Sequence, residues 1–556
     1  MSDSTPSTAA SGVAGRATAG ESQVTCRSGP GARILEFTRN PWALAGFVAL
    51  VAAIVLWVVI RPLDHFASDP DSVASVLYWR RLINGQRLES FVPTTPKPLL
   101  TVVYGILYSL TGDWRALTVA SLAAGAVSIG LAARLATRLG GVAAAVVVVI
   151  AMLAWPDFLV EVAHGNSFVW ALMLWLVAGV LMTADRPHPW QAGIALALAG
   201  VARTETMWLM VAVIGCVAFV AWQTMRGRDR TRLVAVAPLL IGLLAVPLTC
   251  LHDLLITGRP LYWLSVPSAY TTLVTPNLAP IAPFRTIRGA LGHYRPAAPL
   301  LILAAVGLVQ VVASKRRAIA LALFSLGCGV ILTLAYLSWR AVFVTARYYE
   351  EADAPTLLLA AIGSATVLSW LALRLAGKRL RLNRWVPLAT AAVAAALALG
   401  VVVVDVPHDV VQRQLIATSS GYAALTKQIP ALKTILTGAK GATVEVTGVS
   451  YPVADPRACR IFVPRAFLSL IAVETGAPLD TLGDSFLAFR DGNYATLSPG
   501  QYVLHITSID GVGGSYEPFE HSSPVVLKVT ADRSVRITPL YADDAQGVWL
   551  MRIDPA

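Results

Sequence analysis

An uninterrupted apolar stretch, ALAGFVALVAAIVLWVVI, occupies residues 43–60. As a helix it is long enough to cross the hydrocarbon core of a bilayer, which takes about 20 apolar residues. Arg33 and Arg39 precede it, so the positive-inside rule predicts that the chain enters the membrane from the cytoplasm and leaves it at Arg61. No small-residue cleavage site follows the stretch, and we therefore expect a retained span rather than a cleaved signal.

The composition of the whole chain agrees with a membrane protein. Of the 556 residues, 56% are hydrophobic and only 14% are charged, whereas about a quarter of the residues of a soluble domain are charged. Five cysteines spread over this length make no disulfide framework, and the same composition excludes a disordered or collagen-like chain. We attribute the net charge of +12 to the basic cytoplasmic loops of a polytopic protein rather than to nucleic-acid binding.

Apolar segments continue along the chain and predict a polytopic α-helical membrane protein. Residues 98–110 are short for a span, and we expect them to form a helix that lies partly in the membrane. Together with the stretch at 43–60, the remaining segments predict about eleven transmembrane helices. These segments lie at 117–136, 142–155, 168–182, 191–202, 207–222, 233–251, 298–313, 318–337, 356–375 and 386–404.

Four basic clusters support this membrane topology, because all of them fall on one side of the membrane, as the positive-inside rule predicts. They are Arg134 with Arg138 and the cations within 226–232, 315–317 and 374–384. The opposite side then receives the loop at 61–97, the connection at 155–166, a long Pro-rich loop at 252–296 and the loop at 339–355. Everything after Asp405 is likewise expected outside the cytoplasm.

The periodicity of the sequence changes near Thr443. Short alternating runs at 443–447, 502–507 and 534–538 are separated by Gly, Pro and Asp, which is typical of strands and turns. We therefore predict three regions. Residues 1–33 are rich in Ser, Thr, Ala and Gly and form a disordered cytoplasmic tail. Residues 34–404 form the transmembrane domain, with a first external loop at 61–114. Residues 405–556 form a mainly β extracytoplasmic domain.

Three carboxylates, Asp64, Asp69 and Asp71, follow the first span directly. Acidic side chains beside a membrane suggest a general base or cation ligands. A purely structural role is equally consistent with the pattern, because Asp69 suits the N-cap of a helix, Pro70 its first position and Asp71 its dipole. Capping does not require Asp64. The residues alone leave both interpretations open.

The residues after Asp69-Pro70-Asp71 extend this pattern with Tyr78-Trp79-Arg80-Arg81-Leu82-Ile83-Asn84-Gly85 and with Pro96-Lys97-Pro98-Leu99-Leu100, followed by Tyr104 and Gly112. This resembles the GT-C superfamily of membrane glycosyltransferases, such as protein O-mannosyltransferases, aminoarabinose transferases of lipid A and arabinofuranosyltransferases, which place an acidic pair in the first external loop. The resemblance covers roughly the first half of the chain. Two departures, a proline between the acids and the absence of a second proline after Lys97, leave the choice between Asp69 and Asp71 open.

Two further places are similar to the family. Arg203-Thr204-Glu205 resembles its Arg-Pro-Glu turn, and Arg347-Tyr348 resembles the arginine that contacts the donor phosphate in relatives. Arginine suits this task because its fork binds phosphate oxygens bidentately and keeps its charge. The alternatives are a structural ion pair between Arg203 and Glu205, and an interfacial anchor at Arg347.

Weaker candidates lie in the other external segments. Glu161, His164 and Asn166 fall on a turn where relatives carry a polar residue near the acceptor or a metal, although a lone histidine there is commonly a solvated interface residue. The loop at 252–296 could cover a donor groove. Its polar residues are His252, Asp253, Arg285, Arg288, His293 and Arg295. No Walker A, dinucleotide-binding or Gly-x-Ser-x-Gly motif is present, so nucleotide-driven chemistry is not expected.

The resemblance implies a polyprenyl-phosphate-sugar-dependent glycosyltransferase that inverts configuration at the outer face of a bacterial plasma membrane. The sugar would be arabinofuranose or mannose, and the acceptor an envelope glycan, lipoglycan or protein. Asp69 would be the base with Asp71 or Asp64 as alternates, whereas Lys97, Arg203 and Arg347 would contact the phosphate. Glu205, His164 and Tyr348 would support the acceptor, and Asp64 or Asp71 would bind any divalent cation (Mg²⁺, Mn²⁺ or Ca²⁺).

Two other classes of function compete with this interpretation. A transporter or flippase of envelope lipids or glycans would carry charges near the middle of its spans and two repeated halves. The predicted spans are nearly free of charge at their centres, and the Asp69 region has no repeat in the second half. The third class is a non-enzymatic envelope assembly factor whose β domain binds its partner.

Overall fold

A helical bundle precedes a sheet domain in the computed structural model. It describes residues 41–61, 69–88, 92, 94–227, 233–234, 236–274, 279–293, 298–314, 317–342, 350–376, 425–437, 443–446, 449–452, 460–489, 494–506, 524–530, 532–543 and 548–556. Four predicted features lie outside the described residues: the tail at 1–33, the carboxylate of Asp64, the Arg347-Tyr348 pair and the span at 386–404.

The first four helices are α1 (Pro41–Ile60), α2 (Pro70–Ile83), α3 (Pro98–Thr111) and α4 (Arg115–Leu153). Helices are confirmed over the predicted first span and over residues 98–110, and α2 begins directly after the predicted N-cap Asp69. Proline stands at the start of α2 and α3, where its missing N–H costs no hydrogen bond. Gly141 interrupts α4 with φ 83° and ψ −175°, so the chain forms two helical segments here, as the two predicted spans required.

A sharply bent pair follows, formed by α5 (Pro156–Ala163) and α6 (Ser167–Met182), whose axes differ by 109°. Next come α7 (Pro189–Ala202), a 3₁₀ turn at Thr204–Met207 and α8 (Trp208–Gly227). The 109° bend is concentrated at residues 164–166, which the sequence interpretation assigned to an external turn. That turn lies beside Asp69 at the start of α2.

The second half of the bundle contains more helix than predicted. After a 3₁₀ segment at Ala237–Leu244, the helices are α9 (Ala245–Thr257), α10 (Tyr262–Val274), α11 (Pro283–His293), α12 (Ala298–Ala313), α13 (Arg317–Trp339) and α14 (Glu350–Ala376). The expectation of a long loop at 252–296 is therefore wrong. Pro267 lies inside α10, where its carbonyl accepts a hydrogen bond from Thr271 Oγ1, and α14 begins before its predicted start because acidic residues occupy its first turn.

The described helices confirm a multi-pass membrane protein. Five of them are long and apolar enough to cross a bilayer, or six if the bent pair α5–α6 counts as one span. Exposed side chains of α1 such as Leu50, Ile54 and Val58 are apolar, as expected for a surface that faces lipid. The count of about eleven spans stays a prediction.

Helices α12 and α14 cross at two glycines. A Cβ atom at Gly307 would lie 1.9 Å from the carbonyl oxygen of Leu359, and one at Gly363 would lie 1.9 Å from that of Leu303. No side chain fits at those distances, so only glycine allows the two backbones to pack this closely, as in many membrane helix pairs.

The C-terminal region contains a mixed six-stranded sheet of order β4-β3-β5-β8-β7-β6. Its strands are β3 (Ile461–Val463), β4 (Leu482–Asp484), β5 (Tyr502–Ile506), β6 (Val525–Lys528), β7 (Ser534–Asp543) and β8 (Val548–Pro555), with a separate hairpin of β1 (Thr443–Val446) and β2 (Val449–Pro452). The predicted sheet domain is confirmed. The sequence did not predict its helices, namely α15 at 425–437, α16 (Leu468–Thr475), which joins the parallel strands β3 and β4, and α17 (Ser485–Phe489).

The sheet domain packs against helices α2 and α3 through α16. Glu474 Oε1 accepts hydrogen bonds from the hydroxyl of Tyr108 at 2.9 Å and from Trp114 Nε1 at 2.5 Å. Arg80 of α2 donates to the carbonyl of Val473 and lies over the Tyr108 ring, 5.4 Å from its centroid. Apolar side chains of α2, α3 and α16 share one hydrophobic cluster, so the domain is joined to the helix that Asp69 begins.

Replacing Glu474 should weaken this junction. In Glu474→Leu, two donors would lose their acceptor, at a cost of about 1–3 kcal/mol. We expect a lower temperature of unfolding in detergent and faster protease cleavage between the bundle and the sheet domain. Glu474→Gln keeps an acceptor oxygen of the same reach and should stay close to wild type. Equal stability of wild type, Leu and Gln variants would show that the junction does not depend on this side chain.

Candidate active site

Asp69 begins α2 and is its N-cap. Its backbone is extended, with φ −64° and ψ 145°, and its carboxylate accepts a hydrogen bond from the amide of Asp71 at 2.7 Å. This confirms the predicted cap. The second carboxylate oxygen lies 3.5 Å from Nδ2 of Asn166, so the same side chain also faces the turn between α5 and α6.

That turn is held against α2 and α3 by hydrogen bonds to its carbonyls. The carbonyl of His164 accepts from the amide of Asp69 at 3.0 Å, and that of Gly165 accepts from Ser72 Oγ at 2.8 Å and from Tyr104 OH at 2.5 Å. Gly165 has φ 69°, and an added Cβ would lie 3.3 Å from the Tyr104 hydroxyl. Glycine is therefore required here for its left-handed backbone, and Asn166 then caps α6.

Asp71 and Lys97 form an ion pair. Lys97 Nζ lies 2.7 Å from one carboxylate oxygen of Asp71, and Thr94 Oγ1 donates to the other at 3.2 Å. The side chain of Lys97 is only 4% exposed. An ammonium group has three N–H donors, and within the described part of the chain Asp71 is the one hydrogen-bond acceptor of Lys97. Its other donors can thus bind an anionic ligand.

The buried Tyr78 fixes the segment that carries Lys97. Its hydroxyl donates to the carbonyl of Thr94 at 2.7 Å. Burial raises the pKa of Tyr78 well above its usual value, and the nearby Tyr262, Asp71 and Asp253 add to this effect. The hydroxyl consequently stays protonated and keeps donating to Thr94, which holds the loop over α2.

Arg203 belongs to a buried ion cluster with the start of α14. Its guanidinium lies 2.9 Å from Glu351 and 3.8 Å from Glu350, and the three side chains are at most 8% exposed. The predicted partner Glu205 lies on the 3₁₀ turn, and its side chain is outside the described set. The guanidinium also lies 5.4 Å from the centroid of the Phe168 ring, in the first turn of α6.

The structure thus brings several predicted residues into one place. Around the start of α2 lie Asp69, Asp71, Lys97, His164 and Asn166. Arg203 contacts the ring of Phe168, whose amide donates to Asn166 of the same turn. Glu161 is buried below the turn, where its carbonyl accepts from the amide of Asn166.

The candidates of the supposed long loop lie outside the group of residues around the start of α2, and two of them border Tyr78. His252 and Asp253 are buried in α9, and the His252 ring stands edge-on to Tyr78 with centroids 6.5 Å apart. Arg285 and Arg288 are exposed on α11, and His293 is the last residue of that helix. Arg295 lies outside the described residues.

Sequence reasoning missed Ser72, Gly165 and Trp170, whose Nε1 donates to Tyr104 OH at 2.8 Å. The glycine between His164 and Asn166 was the available signal, because Gly followed by Asn commonly marks a tight turn.

Within the described residues no group of three His, Cys, Asp or Glu side chains could hold a metal ion. Because Asp64 is outside that set, a divalent cation at this site stays a prediction.

The fold of the described residues consists of a long apolar helix, the two helices α2 and α3 after it, a helical bundle and a C-terminal sheet domain. Two solved structures of the oligosaccharyltransferase AglB from Archaeoglobus fulgidus share it with TM-scores of 0.50, at 12% and 14% identity, over 84% of this chain and 69% of theirs. One carries a tethered acceptor peptide with the NVT sequon, the other an inhibitory peptide and a dolichol-phosphate.

A third structure, ArnT from Cupriavidus metallidurans in the apo state, aligns with 92% of this chain and 98% of its own at 14% identity and a TM-score of 0.48. Neither a protein-family model nor a curated protein matches the chain. At these identities the likeness to AglB establishes the fold, and the GT-C resemblance of the sequence is confirmed at that level.

Proposed function

We propose that this protein is a GT-C glycosyltransferase that moves a sugar from a polyprenyl-phosphate donor to a cell-envelope acceptor. The sugar is arabinofuranose or mannose, and the acceptor is a glycan, lipoglycan or protein at the outer face of a bacterial plasma membrane. One observation supports this most: two carboxylates meet at the start of α2 with a buried ammonium, whose one acceptor among the described residues is Asp71.

Asp69 is the base in this proposal. Asp71 is neutralised by Lys97 at 2.7 Å and also accepts from Thr94, whereas a base must take up a proton as the acceptor hydroxyl attacks. The outer oxygen of Asp69 is 3.5 Å from the amide of Asn166, a neutral donor that can orient the carboxylate without cancelling its charge. General-base catalysis of this kind contributes about 10²–10⁴-fold in rate.

Lys97 receives the donor phosphate. The acceptor oxygen attacks the anomeric carbon on the face opposite the phosphate, its proton goes to Asp69, and the bonding pair of the breaking C–O bond leaves with the lipid phosphate. Configuration is inverted. The buried ammonium of Lys97 stabilises that negative charge because it is shielded from water, and Arg347 is proposed as the second cation.

Arg203 has a supporting role in this proposal. Its guanidinium is engaged with Glu350 and Glu351, the first two residues of α14, which directly follow the segment with Arg347 and Tyr348. We infer that Arg203 fixes the end of that segment rather than contacting the phosphate itself. His164 and Glu205 flank the acceptor side of the site.

Release of the lipid carrier tests the proposed function. Purified protein reconstituted in vesicles is incubated with polyprenyl-phosphoryl arabinose or mannose labelled in the sugar, with and without envelope glycan. We expect free polyprenyl phosphate and labelled glycan from one of the two donors. Intact donor that has moved to the other leaflet would instead support the transporter, and donor that is neither cleaved nor moved would favour the assembly factor.

A further inference from the structure

An apolar cavity of about 170 Å³ lies inside the helical bundle, away from the candidate active site. Helix α6 begins at Asn166 beside Asp69, and the cavity is lined by its last two turns, including Trp175, Gly179 and Thr183. At 1.5 Å per residue, Gly179 is roughly 20 Å along the helix from Asn166. The cavity is therefore near the opposite end of the bundle, the end predicted to face the cytoplasm.

The lining of the cavity suits a hydrocarbon chain. It consists almost entirely of apolar side chains. They come from α4, α6, α7, α8 and α13, and from the 3₁₀ segment that precedes α9. The one hydroxyl, on Thr183, is already bonded to the carbonyl of Gly179 at 2.9 Å. An apolar cavity of about 150 Å³ is large enough to bind a molecule such as benzene, so this space can take a segment of an aliphatic chain.

One arginine, Arg138, borders the cavity, and a second, Arg134, precedes it by one turn of α4. Arg138 donates to the carbonyl of Thr183, a lining residue, and its guanidinium lies 3.6 Å from the fully exposed Asp185. Arg134, one turn earlier on the same face of α4, is 3% exposed and stacks on Trp42 at 3.3 Å. Within the described part of the chain, no acceptor binds Nε or Nη1 of Arg134. The two guanidiniums and the solvated carboxylate of Asp185 together carry a net positive charge.

We propose that the cavity binds one acyl chain of an anionic phospholipid whose phosphate is held by Arg138 and Arg134. The apolar lining accounts for the chain, and a phosphate oxygen would supply an acceptor for the donors of Arg134 that no described residue fills. The lipid is a structural ligand that joins α4, α6, α8 and α13. This site is independent of the proposed function, because it uses no residue of the Asp69 site.

The test compares two lipids that differ in headgroup charge. Delipidated protein is titrated with dioleoylphosphatidylglycerol or dioleoylphosphatidylcholine, and bound lipid is counted by native mass spectrometry while thermal unfolding is followed in parallel. We expect one tightly bound phosphatidylglycerol per chain, a raised unfolding temperature and weaker binding of phosphatidylcholine. Arg138→Gln should weaken phosphatidylglycerol binding by about 10-fold, which corresponds to one charged hydrogen bond.

Cavity-filling variants locate the acyl chain. Val213→Phe and Ala322→Phe, at two half-buried lining residues of different helices, should each lose both lipids and remain folded. Ile194→Phe on the exposed face of α7 is the matched control and should bind as wild type does. Equal binding of the two lipids by wild type, or full binding of phosphatidylglycerol by both cavity variants, would overturn the proposal. Displacement of phosphatidylglycerol by polyprenyl phosphate would instead assign the cavity to the donor lipid.

Discussion

Asp69→Asn should lower sugar transfer by about 10²-fold or more while protein yield and donor binding stay near wild type. The carboxylate accepts a hydrogen bond from the amide of Asp71 at 2.7 Å, and its second oxygen lies 3.5 Å from Nδ2 of Asn166. An asparagine oxygen can keep the first contact, and asparagine is about as good an N-cap as aspartate. The helix α2 should therefore survive. What asparagine cannot do is take up the proton of the acceptor hydroxyl.

The neighbouring acids are the controls for this prediction. Asp71→Asn would leave the ammonium of Lys97, 4% exposed, without its counter-charge, so we expect lower stability and altered donor affinity in addition to any loss of rate. Transfer and donor binding are measured for Asp69→Asn, Asp71→Asn and Asp64→Asn. Full activity of the Asp69 variant with loss in only one of the others would move the base to that residue. Activity in all three would refute glycosyl transfer at this loop.

Arg203→Met should be among the most destabilising substitutions in the chain. It removes the cation that lies 2.9 Å and 3.8 Å from two glutamates whose side chains are 8% and 5% exposed. Breaking a buried ion pair by deleting one partner costs about 3–5 kcal/mol, because the remaining charge is left uncompensated. We expect a clearly lower unfolding temperature in detergent and reduced yield from the membrane.

A double variant separates loss of the ion pair from loss of packing. In Arg203→Met with Glu351→Gln, the nearer of the two carboxylates is neutral, so part of the lost stability should return. If Arg203 instead acts mainly on the donor phosphate, Arg203→Met would unfold like wild type and lose only donor affinity. That outcome would contradict the supporting role proposed here.

The sequence predicted well the elements that local signals define. Helix α1 follows from its apolar run, the start of α2 from Asp69-Pro70, and the end of α3 from Gly112, which adopts φ 65°. These features depend on residues within one or two turns of each other. The predicted sheet domain belongs to the same category, since alternation along a strand is visible within a few residues.

The contacts that complete the site join distant parts of the chain, and no local pattern reports them. The sequence suggested Glu205 as a partner of Arg203 because it is adjacent, but no local pattern indicated that Glu350 and Glu351 of α14 lie beside the same guanidinium. In the same way, the hydrogen bonds of Ser72 and Tyr104 to Gly165 depend on how three helices pack. The helices within 252–296 were missed because prolines and charges there resemble those of a loop.

The junction between Arg80 and Val473 has a consequence for biosynthesis. These residues are 393 positions apart, and translation at about 5–20 residues per second separates their synthesis by about 20–80 s. During that interval the part of α2 that packs against α16 in the finished protein lacks this contact. A chain shortened before Leu468 would therefore leave Arg80, Tyr108 and Trp114 without the hydrogen-bond acceptors that Val473 and Glu474 provide.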